Sequence, residues 1–177
     1  MNKSVIRKKI LKIRKYRRLK KIQIQSILKI LKKKFVKGKI LGAYYPYNYE
    51  ADVMHILEKF QKKNYQIALP KIKKNLQMDF FSWSIYEPCS VNKYGIPEPI
   101  SNKIVYPDIL LVPLVAFDRN LNRVGYGGGF YDRYIKKLRK NKKIITIGLA
   151  YSFQKVKQIN VNKHDIKLDF IVTEKDN

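Results

Sequence analysis

Apolar runs of strand length alternate along this chain with segments of helical period, and that alternation limits the folds open to it. Asp108-Ile109-Leu110-Leu111-Val112-Pro113 and Ile144-Ile145-Thr146-Ile147-Gly148-Leu149 are nearly continuous apolar runs. Lys39 to Tyr44, Ile67 to Pro70 and Leu168 to Val172 are shorter runs of the same kind. Strands buried on both faces read this way, whereas half-exposed strands alternate polar and apolar residues. Between them, Val53, Ile56, Leu57 and Phe60 recur at helical spacing, and residues 130–138 follow a glycine cluster as a further helix. Residues 3–35 are predicted helical in two pieces. Ile6, Ile10, Ile13 and Arg17 mark one face of the first, and Ile24, Ile27, Leu28, Leu31 and Phe35 mark the second, with a break near 19–23 and Gly38 as the stop. Met78 to Tyr86 is rich in strand formers, and the prolines and Gly95 of 87–107 predict an ordered loop. Pro70 is expected to stop its strand. The expected fold is α/β: three α/β/α layers around a mostly parallel sheet, with N-terminal helices, as one domain over 1–177.

Composition sets further limits. A chain of 177 residues that is 45% hydrophobic and 12% aromatic can bury a sizeable core, which excludes a disordered polymer. Cys89 stands alone, so no internal disulfide forms, and a reducing compartment is expected. Charges recur every few residues at the N-terminus, which predicts no signal peptide and a cytoplasmic location. No apolar stretch approaches the roughly 18 residues of a membrane span. Lys+Arg of 39 against Asp+Glu of 13 leaves a net charge of +26. Such an excess attracts polyanions. It also follows from a coding bias toward Lys, Ile, Asn and Tyr, and the cations are spread along the whole chain instead of forming one arm.

The chemistry concentrates at Arg123-Val124-Gly125-Tyr126-Gly127-Gly128-Gly129-Phe130-Tyr131-Asp132. Glycines let backbone N–H groups close on a phosphate, and the next helix points the positive end of its dipole at the same place. Arg123 can fork onto phosphate oxygens, and Asp132 can hold Mg²⁺ alongside them. The spacing fits neither the common P-loop nor the dinucleotide fingerprint. A glycine-rich turn with no ligand shares the same composition.

Val112-Pro113-Leu114-Val115-Ala116-Phe117-Asp118 followed by Arg123 to Asp132 closely resembles the signature of the 5-formyltetrahydrofolate cyclo-ligases, with Phe130 in place of a tyrosine. Lesser matches are Lys3 and Arg7, Glu50, Gly95 to Pro99, Asp165 and Asp169, so the likeness spans nearly the whole chain. The resemblance implies ring closure of 5-formyltetrahydrofolate to 5,10-methenyltetrahydrofolate, with ATP as co-substrate, Mg²⁺ as cofactor, and ADP and phosphate released. The formyl oxygen is phosphorylated to make it a leaving group, and N10 then attacks the activated carbon.

By the same resemblance Lys3, Arg7, Arg123, Gly125, Tyr126, Gly127, Gly128, Gly129, Phe130 and Tyr131 contact ATP. Arg123, Tyr131 and Asp132 are the catalytic set. Asp132 and Asp165 hold the metal. Glu50, Tyr94, Tyr126, Gly127, Gly128 and Gly129 meet the folate. In some relatives a lysine sits where Gly128 stands, so that role passes to Arg123 or elsewhere. On residue type alone, Lys3 and Arg7 also read as the solvated face of a basic helix. Likewise Asp132 reads as a helix-start carboxylate, Asp165 as a turn residue and Glu50 as a helix N-terminal acid. Tyr44, Tyr45 and Trp83 read as core, and His164 and Cys89 as bystanders. Surplus lysines are suited to a polyglutamate tail on the folate. The competing reading of the charge is a basic nucleic-acid-binding module. It lacks zinc-ligand spacing and the aromatic RNA-recognition signature, so no specific nucleic-acid partner and no membrane partner are expected.

Overall fold

The structure is a computed structural model that describes residues 2–17, 21–34 and 36–176. Phe35 and residues 18–20 of the expected helical break lie outside the described residues. The helices are α1 (Lys3–Tyr16), α2 (Ile24–Lys33), α3 (Met54–Gln61) and α4 (Phe130–Asn141). The strands are β1 (Ile40–Gly42), β2 (Gln66–Ile72), β3 (Met78–Trp83), β4 (Cys89–Val91), β5 (Pro97–Pro99), β6 (Ile104–Val105), β7 (Ile109–Pro113), β8 (Ala116–Phe117), β9 (Arg123–Val124), β10 (Ile145–Leu149) and β11 (Phe170–Val172).

The main sheet runs β11-β10-β7-β1-β2-β3-β6. Neighbours from β11 to β2 pair parallel, and β3 and β6 join antiparallel. The mostly parallel sheet expected from the continuous apolar runs is therefore present. Alternate residues of each strand feed opposite faces. Leu41, Ile67, Leu69, Ile109, Leu111 and Ile147 pack with Ile27 and Leu31 of α2 and Ile56, Leu57 and Phe60 of α3. Ala68, Phe80, Leu110 and Val112 pack with Tyr134, Ile135 and Leu138 of α4. Helices thus cover both faces, giving three layers. A third cluster seats α1, through Ile6 and Ile10, on Val115, Ala116 and Val124 of the small β8–β9 hairpin.

Several local expectations are corrected. Pro70 does not stop β2, which runs on to Ile72 and pairs Pro70 with Phe80. The Gln66 N–H and the Ala68 carbonyl both bond toward β1. By alternation the Pro70 nitrogen faces the same side, where β1 has already ended, so no ladder bond is lost. The loop expected over 87–107 holds β4, β5 and β6, with Pro97 and Pro99 paired opposite Val91 and Cys89 in a two-stranded ribbon. Gly38 is not the helix stop, since α2 ends at Lys33. Its lack of a side chain lets Asp108 close over it, where a Cβ would lie 2.1 Å from the Asp108 carboxyl carbon. On α1 the buried positions are Ile6, Ile10 and Arg14, with Ile13 only half-buried and Arg17 exposed.

From β1 the chain moves to β2 on one side of the sheet and later to β7 on the other. The carboxyl ends of β1 and β7 therefore flank the switch point of the sheet, the place where open α/β sheets bind ligands. Residues 43–53 leave one of these ends, and the β8–β9 hairpin and glycine loop leave the other.

Candidate active site

The glycine loop closes directly onto α4. Gly129 caps the helix at φ 64°, and Gly127 takes φ 108°, a conformation that side chains rarely adopt. Among the described residues, the N–H groups of Gly127, Gly128 and Gly129 have no internal acceptor. They lie at the positive end of a 12-residue helix. Arg133, one turn on, donates to the Gly128 carbonyl at 2.8 Å and to Leu76 at 2.7 Å, and its guanidinium lies 5.3 Å from the centre of the Phe130 ring.

The strand preceding the loop supplies Arg123, whose side chain is only 5% exposed. Its Nη2 donates to Asp132 at 2.9 Å and its Nη1 to the Ile166 carbonyl at 2.5 Å. Burial lowers the guanidinium from its ordinary value and Asp132 opposes that shift. Arginine stays charged regardless. Asp132 Oδ1 also accepts the Ile166 N–H at 2.9 Å, which sets the residue after Asp165 against the start of α4. Asp165 Oδ2 accepts Lys3 Nζ and, at 2.5 Å, the Asn162 N–H. Burial pushes the Asp165 carboxyl up, but Lys3 and the Asn162 amide outweigh it and hold the group below its usual range. Asp132 and Asp165 are thereby brought together, with Oδ2 of the first and Oδ1 of the second outside these contacts.

Helix α1 crosses the loop from above. Lys3, Arg7, Ile10 and Arg14 are spaced four, three and four apart, so they form one stripe. Lys3 pairs with Asp165, Arg7 Nε donates to the Gly125 carbonyl at 2.8 Å, and Arg14 Nη2 donates to the Tyr126 hydroxyl. An Arg7 Nη2 lies 3.6 Å from where a Cβ on Gly127 would stand. A solvated face would not make these contacts.

On the β1 side, Asn48 and Tyr49 both take positive φ in a turn closed by the Glu50 N–H to the Tyr47 carbonyl, 3.0 Å. Glu50 Oε2 accepts the Tyr47 N–H at 3.0 Å. Burial raises the Glu50 carboxyl to about 7, opposed by the Tyr47 amide, by Arg14 and by the Tyr126 hydroxyl. The Tyr126 ring packs edge-on against Tyr47 with centres 6.4 Å apart. Tyr131 is partly buried, with its hydroxyl oxygen buried and unpaired, and burial, then Glu50, pushes that hydroxyl well up.

Lys3, Arg7, Glu50, Arg123 through Asp132, and Asp165 therefore converge on one end of the sheet from widely separated parts of the chain. Tyr94 stands apart, at the tip of the β4–β5 hairpin beside Lys73 and Lys74, 43% exposed, with its N–H on Asn92. No polar contact joins it to Glu50 or the glycine loop among the described residues. Tyr44 is core, its hydroxyl donating to the Ala51 carbonyl, and Trp83 is a buried strand residue bonded to Glu87. His164 is exposed.

Sequence reasoning missed Arg14, which is 1% exposed, and the work of Asp118, whose carboxylate gathers the Asn120, Asn122 and Ile159 amides and so fixes the β8–β9 turn. The available signal for Arg14 was its spacing from Lys3, Arg7 and Ile10.

An open α/β sheet whose switch point carries a glycine loop, converging cations and a carboxylate pair defines an α/β protein built to hold an anionic ligand. A model of the 5-formyltetrahydrofolate cyclo-ligase family matches residues 1–174, and the chain belongs to that family. It is 33% identical over 138 residues to the 5-formyltetrahydrofolate cyclo-ligase of Haemophilus influenzae, covering 74% of this chain and 73% of that one. It is 30% identical over 142 residues to that of Escherichia coli K12, covering 75% and 76%. Among solved structures it is similar to a 5,10-methenyltetrahydrofolate synthetase of Aquifex aeolicus, at TM-score 0.76 and 32% identity over 99% of this chain and 91% of that one. It is also similar to one of Mycoplasma pneumoniae, at TM-score 0.73 and 26% identity over 99% and 100%.

Proposed function

We propose that this protein converts 5-formyltetrahydrofolate to 5,10-methenyltetrahydrofolate, consuming ATP and releasing ADP and phosphate. The observation that carries the reading is the convergence of Lys3, Arg7, Arg123 and the glycine loop on one side of the switch point, with Glu50 on the other. The first group is cationic and rich in N–H donors, as polyphosphate requires. Glu50 is an acceptor suited to the amino and ring N–H groups of a pterin.

The formyl oxygen attacks the terminal phosphorus of ATP as the bond to ADP breaks. N10 then attacks the formyl carbon, loses its proton, and phosphate leaves with the oxygen. Both steps depend on alignment and charge neutralisation. Lys3, Arg7 and Arg123 neutralise charge, while Gly125, Tyr126, Gly127, Gly128, Gly129, Phe130 and Tyr131 wrap the transferring group and exclude water. Asp132 and Asp165 each keep one carboxylate oxygen outside their internal contacts, a sparse oxygen donor set that suits Mg²⁺, which also takes phosphate and water. Bound there, Mg²⁺ would supply positive charge to the phosphates. Tyr94, exposed at its hairpin tip apart from these groups, offers a stacking surface only to an aminobenzoate ring that reaches that hairpin.

Purified protein with 5-formyltetrahydrofolate, ATP and Mg²⁺ is expected to form the near-ultraviolet-absorbing methenyl product, with one ADP per turnover. Absence of that product, or product without ADP, would overturn the assignment.

A further inference from the structure

Arg14 heads the fully buried side chains by size, yet no ion pair holds it among the described residues. Its Nη1 donates to the Leu114 carbonyl at 3.4 Å and its Nη2 to the Tyr126 hydroxyl, while Nε has no partner. The guanidinium sits 5.7 Å from the centre of the Tyr126 ring. A cation so placed is unfavourable unless an anion shares its surroundings. The acidic group nearby is Glu50, itself 8% exposed, whose ionised form Arg14 favours. The path from Arg14 to Glu50 runs through contacts: Arg14 donates to the Tyr126 hydroxyl, the Tyr126 ring packs edge-on against Tyr47, and the Tyr47 N–H donates to Glu50 Oε2 at 3.0 Å. Arg14 from α1, Tyr126 from the glycine loop, Tyr131 from α4 and Tyr44 at the end of β1 all lie near enough to exchange charge effects with the Glu50 carboxyl. The three tyrosines are neutral near pH 7, and Arg14 brings the positive charge.

We propose that Arg14 is a positioning residue for the folate side of the site, holding the Tyr126 ring against the Tyr47–Glu50 turn so that the Glu50 carboxyl is placed to accept the N–H groups of a pterin. The proposal rests on the cyclo-ligase reading of Glu50. It gives α1 two tasks: Lys3 and Arg7 serve the phosphates, and Arg14, on the same stripe, serves the other substrate through Tyr126. Burial raises the Glu50 carboxyl and Arg14 restrains it, so removing Arg14 moves its titration further up.

The test is the turnover assay from pH 6 to 9 on wild type, Arg14→Met, Arg14→Lys, Tyr126→Phe and the Arg14→Met/Tyr126→Phe double variant. Michaelis constants are measured for each substrate separately. Arg14→Met is expected to raise the folate constant about tenfold and to shift the acid limb of the folate kcat/KM upward by about one pH unit. The ATP constant should stay within about twofold. Arg14→Lys keeps the charge without the fork and should restore the acid limb more fully than the folate constant. The double variant should be no worse than Arg14→Met alone. An unmoved acid limb, equal rises in both constants, or additive effects would each overturn the proposal. If Arg14→Met does not fold, Tyr126→Phe carries the test from the other end, and an unchanged folate constant there refutes it.

Calorimetric binding of 5-formyltetrahydrofolate without ATP, at pH 6.5 and 8.5, separates this proposal from the reaction. A wild type that binds but gives no methenyl product refutes the cyclo-ligase reading and leaves Arg14 to be judged by binding. A wild type that does not bind refutes both.

Discussion

Glu50 can be tested without any substrate. Burial raises its carboxyl from 4.5 to about 7, so its ionised form destabilises the fold. The stability involved is fully present below about 4.5 and is lost as pH rises through about 7. A gap of about 2.5 pH units corresponds to roughly 3 kcal/mol. Glu50→Gln removes this dependence, so its urea-unfolding free energy should fall less than wild type's between pH 4.5 and 8.5, by about 2–3 kcal/mol, on top of a pH-independent offset from losing the carboxyl beside Arg14. Parallel pH profiles would contradict the assignment. For Asp132 the test is substitution. Asp132→Ala strands the buried Arg123 and is expected to lower stability by about 3 kcal/mol. Asp132→Asn keeps an acceptor for the Ile166 N–H, so its melting point should fall less while kcat drops about 100-fold or more. Activity near wild type in Asp132→Asn would exclude a role for that carboxylate in the reaction.

At the scale of elements, the turn before Glu50 places Tyr49 at φ 58°, where a side chain is strained and glycine is at ease. Tyr49→Gly is expected to stabilise the fold by about 0.5–1 kcal/mol, read from the denaturant midpoint. A lower midpoint would mean that the exposed ring contributes more than its backbone strain. The long elements were legible in the sequence because burial on both faces leaves continuous apolar runs. Thus β7 was expected at 108–113 and found at Ile109–Pro113, and β10 was expected at 144–149 and found at Ile145–Leu149. The strands of 89–105 were not legible. They are two or three residues long and contain prolines, and Asn92 shapes their turn by accepting the Tyr94 and Ile96 amides and donating to Glu98. The glycine loop announced itself by composition and spacing. What lies across from it did not, because Arg7 to Gly125 and Arg14 to Tyr126 are contacts between distant segments. A buried arginine also looks polar to any reading by apolar period.

Across the whole molecule, the seven ion pairs among the described residues engage seven of the 39 Lys and Arg side chains, and the net charge is +26. The surplus makes a field that draws polyanions and that salt screens over about 10 Å at 0.1 M. If it serves the substrate, affinity for 5-formyltetrahydrofolate should rise with the number of glutamates on its tail at low salt. Most of that gain should vanish at about 0.5 M. Affinity independent of tail length at both salt concentrations would leave the charge without a part in folate binding. Tight RNA binding with a steep salt slope would give it to another partner.

The seating of α1 also bears on how the molecule comes into being. Lys3 meets a partner 162 positions later, and Ile6 and Ile10 pack on a hairpin that spans residues 116–124. During synthesis the helix therefore leaves the ribosome long before its berth exists, with a polar, highly charged exterior that keeps it in solvent meanwhile. Most of the sheet can assemble first. The end of the site that joins Lys3 to Asp165 is completed only when the segment around Asp165 emerges, so it forms after most of the sheet strands have been made.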